Sequence, residues 1–465
     1  MYTKMGRIHL VGIGGSGMSG IAEVLVNMGY EVSGSDLHRT AVTDRLVALG
    51  VRIAEGHRAE LVLGAAVVVV STAVRDANPE VVEARRLKIP VIARAEMLAE
   101  LMRMKYGIAV AGAHGKTTTT SLVAAVLAQG GLDPTVVVGG RLRAIGSNAF
   151  LGAGRFLVAE ADESDGSFLK LSPSIAVITN IDREHLDHWK GGLPEIEKAF
   201  LEFAGKVPFY GLCVVCAEDP VSRGLLPRLE RRVVTYAASV PATYRVGDVC
   251  THEDFTLSFD VFEKEFLLGR ARLRMPGRHN ALNALAAVAV GRELGLGSSA
   301  ILAALESFEG VGRRFEAKGE EDGILVVDDY GHHPNEIAAV LRAAKDHSRR
   351  RTVVVFQPHR YTRTRDLLPE FAGCFDQADL LFIVPIYPAG EDPIPGVTEE
   401  AIAKAVVGHG HPACRHLEDL DGAAAAIRPL LRSGDLVITL GAGNITRLGD
   451  LLLRELASHG VGARA

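Results

Sequence analysis

No apolar run in this chain approaches the roughly 20 residues needed to cross a bilayer. The densest one, Ala65 to Val70, has the length of a single strand, so neither a membrane span nor a membrane partner is expected. The opening MYTKMGRIHLVGIGG lacks the charged, apolar and small-residue zones of an export signal, and the expected location is cytoplasmic. Cysteine is scarce: five residues, an odd number scattered along 465, do not make a disulfide framework. Cys213 and Cys216 form a C-x-x-C, but in the strand-like run FYGLCVVCAED positions three apart point to opposite faces. That favours two buried apolar thiols over a redox or metal pair. Charge of one sign is also lacking. A formal net charge of -5 gives no electrostatic footprint for nucleic acid, so any anionic ligand must be held locally.

What is present is a globular composition, 48% apolar and 23% charged, without a low-complexity tract. At about 150 residues per domain the length suggests two to four domains. Three times the sequence restarts with a β-branched strand followed by a helical stretch, which predicts domains at 1–105, 106–311 and 312–465. The first alternates strand Arg7 to Ile13, helix Met18 to Met28, strand Glu31 to Ser35, strand Ala66 to Ser71 and helix Arg94 to Lys105, as a parallel doubly wound sheet should. The second has strand Tyr106 to Ala111, helix Lys116 to Gln129, strands Phe156 to Glu160 and Ile175 to Asn180, a β-rich stretch from Tyr244 to Met275, and helix His279 to Leu294. Strands Ile324 to Asp328, Thr352 to Phe356, Leu380 to Val384 and Leu436 to Leu440 set the pattern of the third. The fold class is therefore α/β, with mostly parallel sheets.

Two glycine loops carry the chemistry. Gly12, Gly14, Gly15, Ser16 and Gly17 fit G-x-G-x-x-G between a strand and a helix, with Asp36 ending the next strand. Such glycines let the backbone approach a pyrophosphate seated on the helix N-terminus. The pattern fits NAD and a UDP-sugar equally. The second loop, Gly112, Ala113, His114, Gly115, Lys116, Thr117 and Thr118, also joins a strand to a helix. Its N–H groups would cradle phosphates, Lys116 would neutralise the outer ones, and the Thr117 hydroxyl would face magnesium. It departs from the usual phosphate-loop spacing, because Val110 occupies the place of the first glycine.

GAHGKTTTT, EADESDGSF (Glu160 to Phe168), TNIDREHLDHW (Thr179 to Trp189) and GRHNALNALAA (Gly277 to Ala287) together resemble the Mur ligases. VGIGGSGMSGIAEVL, VDDYGHHPNE, QPHRYTRTRDL and LGAGNITRLG are similar to its L-alanine-adding branch, and the resemblance spans essentially the whole chain. It implies an N-terminal Rossmann-like domain for UDP-N-acetylmuramate, with Ser71 and Thr72 joining the first glycine loop in holding it. It also implies a central ATPase domain and a C-terminal Rossmann-like domain that closes over ATP and admits L-alanine. Carried over by motif, Lys116 meets the β and γ phosphates, Thr117 the first magnesium, Glu160 bridges two magnesium ions, and His185 binds the second. Imidazole is an unusual magnesium ligand, so His185 rests on its motif alone. Asn283 resembles the adenine contact, with His279 and Asn280 opening its helix. Arg314, Asp329, Tyr330, His332, His333, Arg360 and Arg363 fall in motifs tied to ATP and the reacting groups, and His332 is a candidate base.

Several relatives carry a carbamylated lysine near the second magnesium. Counting from the shared histidine, that position is Phe200 here, with Lys198 two residues away, so no such lysine is expected. The implied reaction runs through an acyl phosphate to ADP and phosphate. A tripeptide-joining ligase, an NAD oxidoreductase and a non-catalytic nucleotide sensor are the competing readings. Monomer and homodimer both remain open.

Overall fold

Strand Arg7–Val11 is buried along nearly its whole length, and a strand buried on both faces belongs at the centre of a parallel sheet. The computed structural model, which describes residues 6–71, 73–142, 147–183 and 188–460, places it there. Five parallel strands run in the order Arg52–Glu55, Val32–Asp36, Arg7–Val11, Ala65–Val70, Val91–Ala93. Order reverses at Arg7–Val11, so its C-terminal end is the crevice where ligands of doubly wound sheets sit. The first glycine loop leaves from that end.

The second sheet has ten strands. Its parallel centre runs Val233–Ala237, Leu212–Cys216, Ile175–Ile178, Tyr106–Ala111, Phe156–Glu160, Thr135–Leu142. Ser147–Phe150 closes one edge in antiparallel pairing. Tyr244–Thr251, Leu257–Glu263 and Phe266–Leu273 extend the other. Tyr106–Ala111 is again the reversal point, flanked by strands that end in Glu160 and lead into Thr179. Helix Lys116–Gln129 behind it is almost wholly buried from Thr117 to Leu127, its threonines Thr117 to Thr120 included. Helix Ser298–Ser307 packs along it. At Gly291 the neighbouring helix Arg278–Glu293 comes so near that an added Cβ would meet Val126 at 2.8 Å.

The third sheet runs Glu316–Glu321, Ile324–Asp329, Leu436–Leu440, Thr352–Phe356, Leu380–Ile383, Cys414–His416, parallel except for its first strand. The chain divides into two compact units. One holds 1–248, 259–272 and 280–311, and thus both of the first two sheets; the other holds 249–258, 273–279 and 312–465. The second unit thus takes two short segments from ahead of residue 312, and Phe255 in one of them packs against Phe315 with ring centroids 5.1 Å apart and the rings tilted. Cys213 and Cys216 are buried and unbridged within their strand, and burial pushes the Cys213 thiol up to about 11. No helix among the described residues is long and apolar enough to cross a membrane.

Candidate active site

At the first glycine loop the backbone turns through Gly12, whose φ of 73° lies in the left-handed region that suits glycine. The N–H groups of Gly12 and Ile13 are spent on Ser35 O. Gly14 N donates to Asp36 Oδ2 at 2.7 Å, so Asp36 braces the loop from the adjacent strand end. Gly15 caps helix Ser16–Asn27 without a side-chain bond, leaving the N-terminus open to an anion. Ser71 faces Gly12, its Oγ 3.9 Å from where a Cβ would stand. The guanidinium of Arg94 packs directly on Gly17, which explains that glycine locally. Thr72 lies outside the described residues.

Beneath this loop is a buried network that the sequence did not disclose. The Glu80 carboxylate accepts from His9 Nε2 at 2.7 Å, Ser35 Oγ at 2.9 Å, His57 Nδ1 at 3.0 Å and Arg58 N at 3.3 Å. Burial works against its charge, but the bonds from His9, Ser35 and His57 outweigh that and hold the carboxyl below its ordinary value. Ser35 is the residue before Asp36, so the network anchors the strand end that carries the brace.

The second loop is shaped by the neighbouring strand. Thr179 Oγ1 and Asn180 Nδ2 both donate to His114 O, at 2.7 and 3.0 Å, and His114 N donates to Asn180 Oδ1 at 2.8 Å. A Cβ on Gly112 would collide with the Thr179 hydroxyl, which fixes glycine there. Gly115, left-handed at φ 77°, faces Asn283, where a Cβ would lie 2.7 Å from Oδ1. Asn283 Oδ1 also accepts from Thr119 at 3.2 Å, and its Nδ2 donates to Asn280. Thr118 is buried in the same helix.

Lys116 lies folded against its own loop, donating to Gly112 O at 2.7 Å and Ala113 O at 3.1 Å, and it pairs with Glu163 at 2.8 Å. Burial would lower its pKa, but Glu163, Asp162 and Glu160 together raise it, so the ammonium stays charged. Burial pushes Glu163 up to about 7 while Lys116 pulls the other way. Glu163, Thr179 and Asn180 stand inside the motifs EADESDGSF and TNIDREHLDHW, yet no spacing or residue type marks them as supports of the loop.

Thr117 Oγ1 donates to Glu160 Oε2 at 2.9 Å, which sets a hydroxyl and a carboxylate side by side at the loop mouth. Among the described residues no group of three or more His, Cys, Asp and Glu is arranged for a metal. That donor set fits magnesium, which takes few protein oxygens and keeps water and substrate phosphate in the remaining positions. His185 lies outside the described residues. Phe200 is buried against Phe168, ring centroids 5.1 Å apart, whereas Lys198 is exposed.

In the other unit, strand ends bring Asp329, Tyr330, His332, His359, Arg360 and Arg363 to one rim. Asp329 accepts from Phe315 N and Gly331 N, both at 2.7 Å, and burial raises it to about 6 against the pull of Arg314. The Arg314 guanidinium lies 5.2 Å from the Tyr330 ring. His332 Nδ1 faces Tyr330 O at 3.1 Å, which assigns the proton to Nδ1 and leaves Nε2 as an acceptor. Burial brings His332 down to about 4, so it is neutral at pH 7. His359, absent from the sequence-derived set, faces His332 at a ring distance of 5.6 Å and accepts from Arg363 Nη1 at 3.1 Å. Arg360 is exposed at the same turn. His333 caps helix Pro334–His347.

Three family descriptions match successive stretches of the chain: "Mur ligase family, catalytic domain" over 7–106, "Mur ligase middle domain" over 110–291 and "Mur ligase, glutamate ligase domain" over 313–443. The UDP-N-acetylmuramate–L-alanine ligase of Geotalea daltonii is 56% identical over 456 residues, 98% of this chain and 99% of that protein. The ligase of the same name from Geobacter sulfurreducens is 56% identical over 457 residues, with 98% and 99% covered. Among solved structures, the UDP-N-acetylmuramate-alanine ligase of Thermotoga maritima superposes with a TM-score of 0.84 at 31% identity, covering 97% of this chain and 99% of that one.

Proposed function

The chain belongs to the Mur ligase family, and on that premise we propose that it joins L-alanine to the lactyl carboxylate of UDP-N-acetylmuramate at the expense of ATP, in peptidoglycan synthesis. The observation that carries the chemistry is the second loop: a left-handed glycine cradle, a buried lysine, and a Thr117–Glu160 oxygen pair at the mouth of one strand crevice. Such a site grips the β and γ phosphates, so attack falls on the γ phosphorus. The substrate carboxylate oxygen bonds to that phosphorus, the bond to the β-bridging oxygen breaks, and ADP leaves. The alanine amine then adds to the acyl carbon, and phosphate departs with its bonding pair.

Lys116 and the loop N–H groups hold the phosphates, while Arg360 and Arg363 meet the charge that develops on the acyl phosphate. Neutral His332, with Nε2 free to accept, takes the proton released as the amine becomes an amide. Gly12, Gly14, Gly15, Ser16, Gly17, Asp36, Ser71 and Thr72 form the UDP-sugar site; Asn283, Arg314 and Asp329 complete the ATP site. Thr117, Glu160 and His185 would hold magnesium, two ions in all, which when bound would supply Lewis-acid neutralisation of the phosphates. The buried Phe200 and exposed Lys198 support a site without a carbamylated lysine. Its substrates, ATP and a UDP-sugar, support a cytoplasmic location.

The test is oxygen-18 in the substrate carboxylate: one labelled oxygen is expected in the released phosphate, with ADP as the nucleotide product. Label in AMP, or unlabelled phosphate, overturns the acyl-phosphate route.

A further inference from the structure

Lys116 has three N–H bonds, and all three are taken: by Gly112 O, by Ala113 O and by the Glu163 carboxylate. The two charges are deeply buried, with 14% of the Lys116 side chain and 5% of the Glu163 side chain exposed. A buried ammonium requires an anion, and removing one member of such a pair is costly because the other charge is then left uncompensated. Glu163 is held from behind. Its carbonyl accepts from the Trp189 indole N–H at 3.1 Å and from Gly166 N at 3.2 Å, so its backbone is fixed on the segment that follows Glu160. Lys116, on a flexible four-carbon stem, is the partner free to turn.

We propose that Glu163 is a positioning residue for Lys116: it keeps the ammonium folded onto the loop when no nucleotide is bound, and the outer phosphates of ATP must take the ammonium from it. This rests on the reading that Lys116 meets those phosphates. Carboxylate and triphosphate then compete for one cation. Part of the intrinsic affinity for ATP goes into breaking the resident pair, and Glu163 sets how much. A residue that merely supported the fold would not couple to nucleotide in this way.

Binding of a non-hydrolysable ATP analogue with Mg2+ is measured by calorimetry on the full chain and four variants: Glu163→Gln, Glu163→Asp, Lys116→Ala and the double Lys116→Ala, Glu163→Gln. Glu163→Gln should bind about tenfold tighter than wild type, because the free protein no longer holds a counterion for the lysine. Its rise in melting temperature on adding nucleotide should exceed that of wild type. Glu163→Asp, which draws the charge back by one methylene, should fall between the two, and it carries the test if Glu163→Gln does not fold. In the Lys116→Ala background the same Gln change should have a much smaller effect. Unchanged or weaker binding by Glu163→Gln, or by Glu163→Asp when it stands in, overturns the proposal. Equal tightening without the lysine also overturns it, since that marks direct repulsion between Glu163 and phosphate. A wild-type protein that binds no ATP analogue refutes the reading of the loop itself, a distinct failure.

Discussion

Replacing Glu80 with Gln keeps the shape of the side chain and removes its charge, which isolates the worth of the network under the first glycine loop. Oε2 accepts from His9 and Ser35, and Oε1 from His57 and Arg58 N. Whichever end the amide nitrogen occupies, two of the four bonds lose their acceptor: Arg58 N is left facing a donor at one end, and His9 and Ser35 at the other keep contact only by turning to accept. Hydrogen bonds to a charged group contribute about 1.5–3 kcal/mol each, so losing two around a buried carboxylate costs about 3–6 kcal/mol. In a chain of several domains a single unfolding free energy is ill defined, so the readout must be local. Amide hydrogen exchange followed by mass spectrometry provides it for the peptides containing strands Arg7–Val11 and Val32–Asp36. At 1.4 kcal/mol per tenfold, their exchange should quicken by about a hundredfold or more, while the third sheet is unaffected. The pH dependence has a definite sign. Because the folded carboxyl is held below its ordinary value of 4.5, its contribution is complete above that pH and fades as pH falls through the lower folded value. Wild type and Glu80→Gln should therefore converge in acid. A change in exchange below about threefold at pH 7, equivalent to roughly 0.6 kcal/mol, would mean that the Glu80 charge does not hold these strand ends.

Lys116→Ala should leave the fold intact and cut ligation to less than about a tenth of wild type, since it removes the cation facing the phosphates; a rate assay with the three substrates checks this. Glu160→Gln should raise the magnesium needed for half-maximal rate more than it raises KM for alanine, and an unchanged magnesium titration would return Glu160 to a structural role. With its pKa near 4, His332 should stay neutral down to about pH 5. Any acid limb in ligation rate near pH 6.5 must then come from another group and should persist in His332→Asn. Cys213→Ala and Cys216→Ala should each leave ligation within about twofold of wild type, because both thiols are core atoms.

Central strands were legible because burial on both faces demands unbroken apolar runs: VVVV in Ala65–Val70 and LVITL in Leu436–Leu440 have few other uses. The outer strands of the second sheet showed as the β-rich stretch from Tyr244 to Met275, but the edge strand of the third did not. Glu316–Glu321, EAKGEE, has alanine as its one apolar side chain and becomes a strand only because Ile324–Asp329 offers it an edge to pair with. The loops were found since glycine and lysine spacing is local. Their supports were missed because they come from elsewhere: Asn180 lies 66 residues from His114, and Glu80 lies 71 from His9. Glu163 was in plain view three residues after Glu160, yet nothing in the sequence says which carboxylate of EADESD the lysine meets. The helix of Asn283 was anticipated, and its contact with Gly115 was not, because an adenine role and a packing role demand the same residue.

The helix behind the second loop has a consequence for how the protein comes into being. Four successive threonines are poor helix formers, and from Thr117 to Leu127 the segment has almost no solvated face to sustain it alone. It becomes a helix only when the neighbouring strands, Gly291 and helix Ser298–Ser307 enclose it. During synthesis, capacity to hold ATP should thus arrive late. A nascent chain stopped before residue 290 should carry the whole phosphate loop in its covalent sequence and yet retain no nucleotide, whereas one released beyond residue 307 should gain phosphate-loop binding in a single cooperative step, to which Arg314 and Asp329 add later.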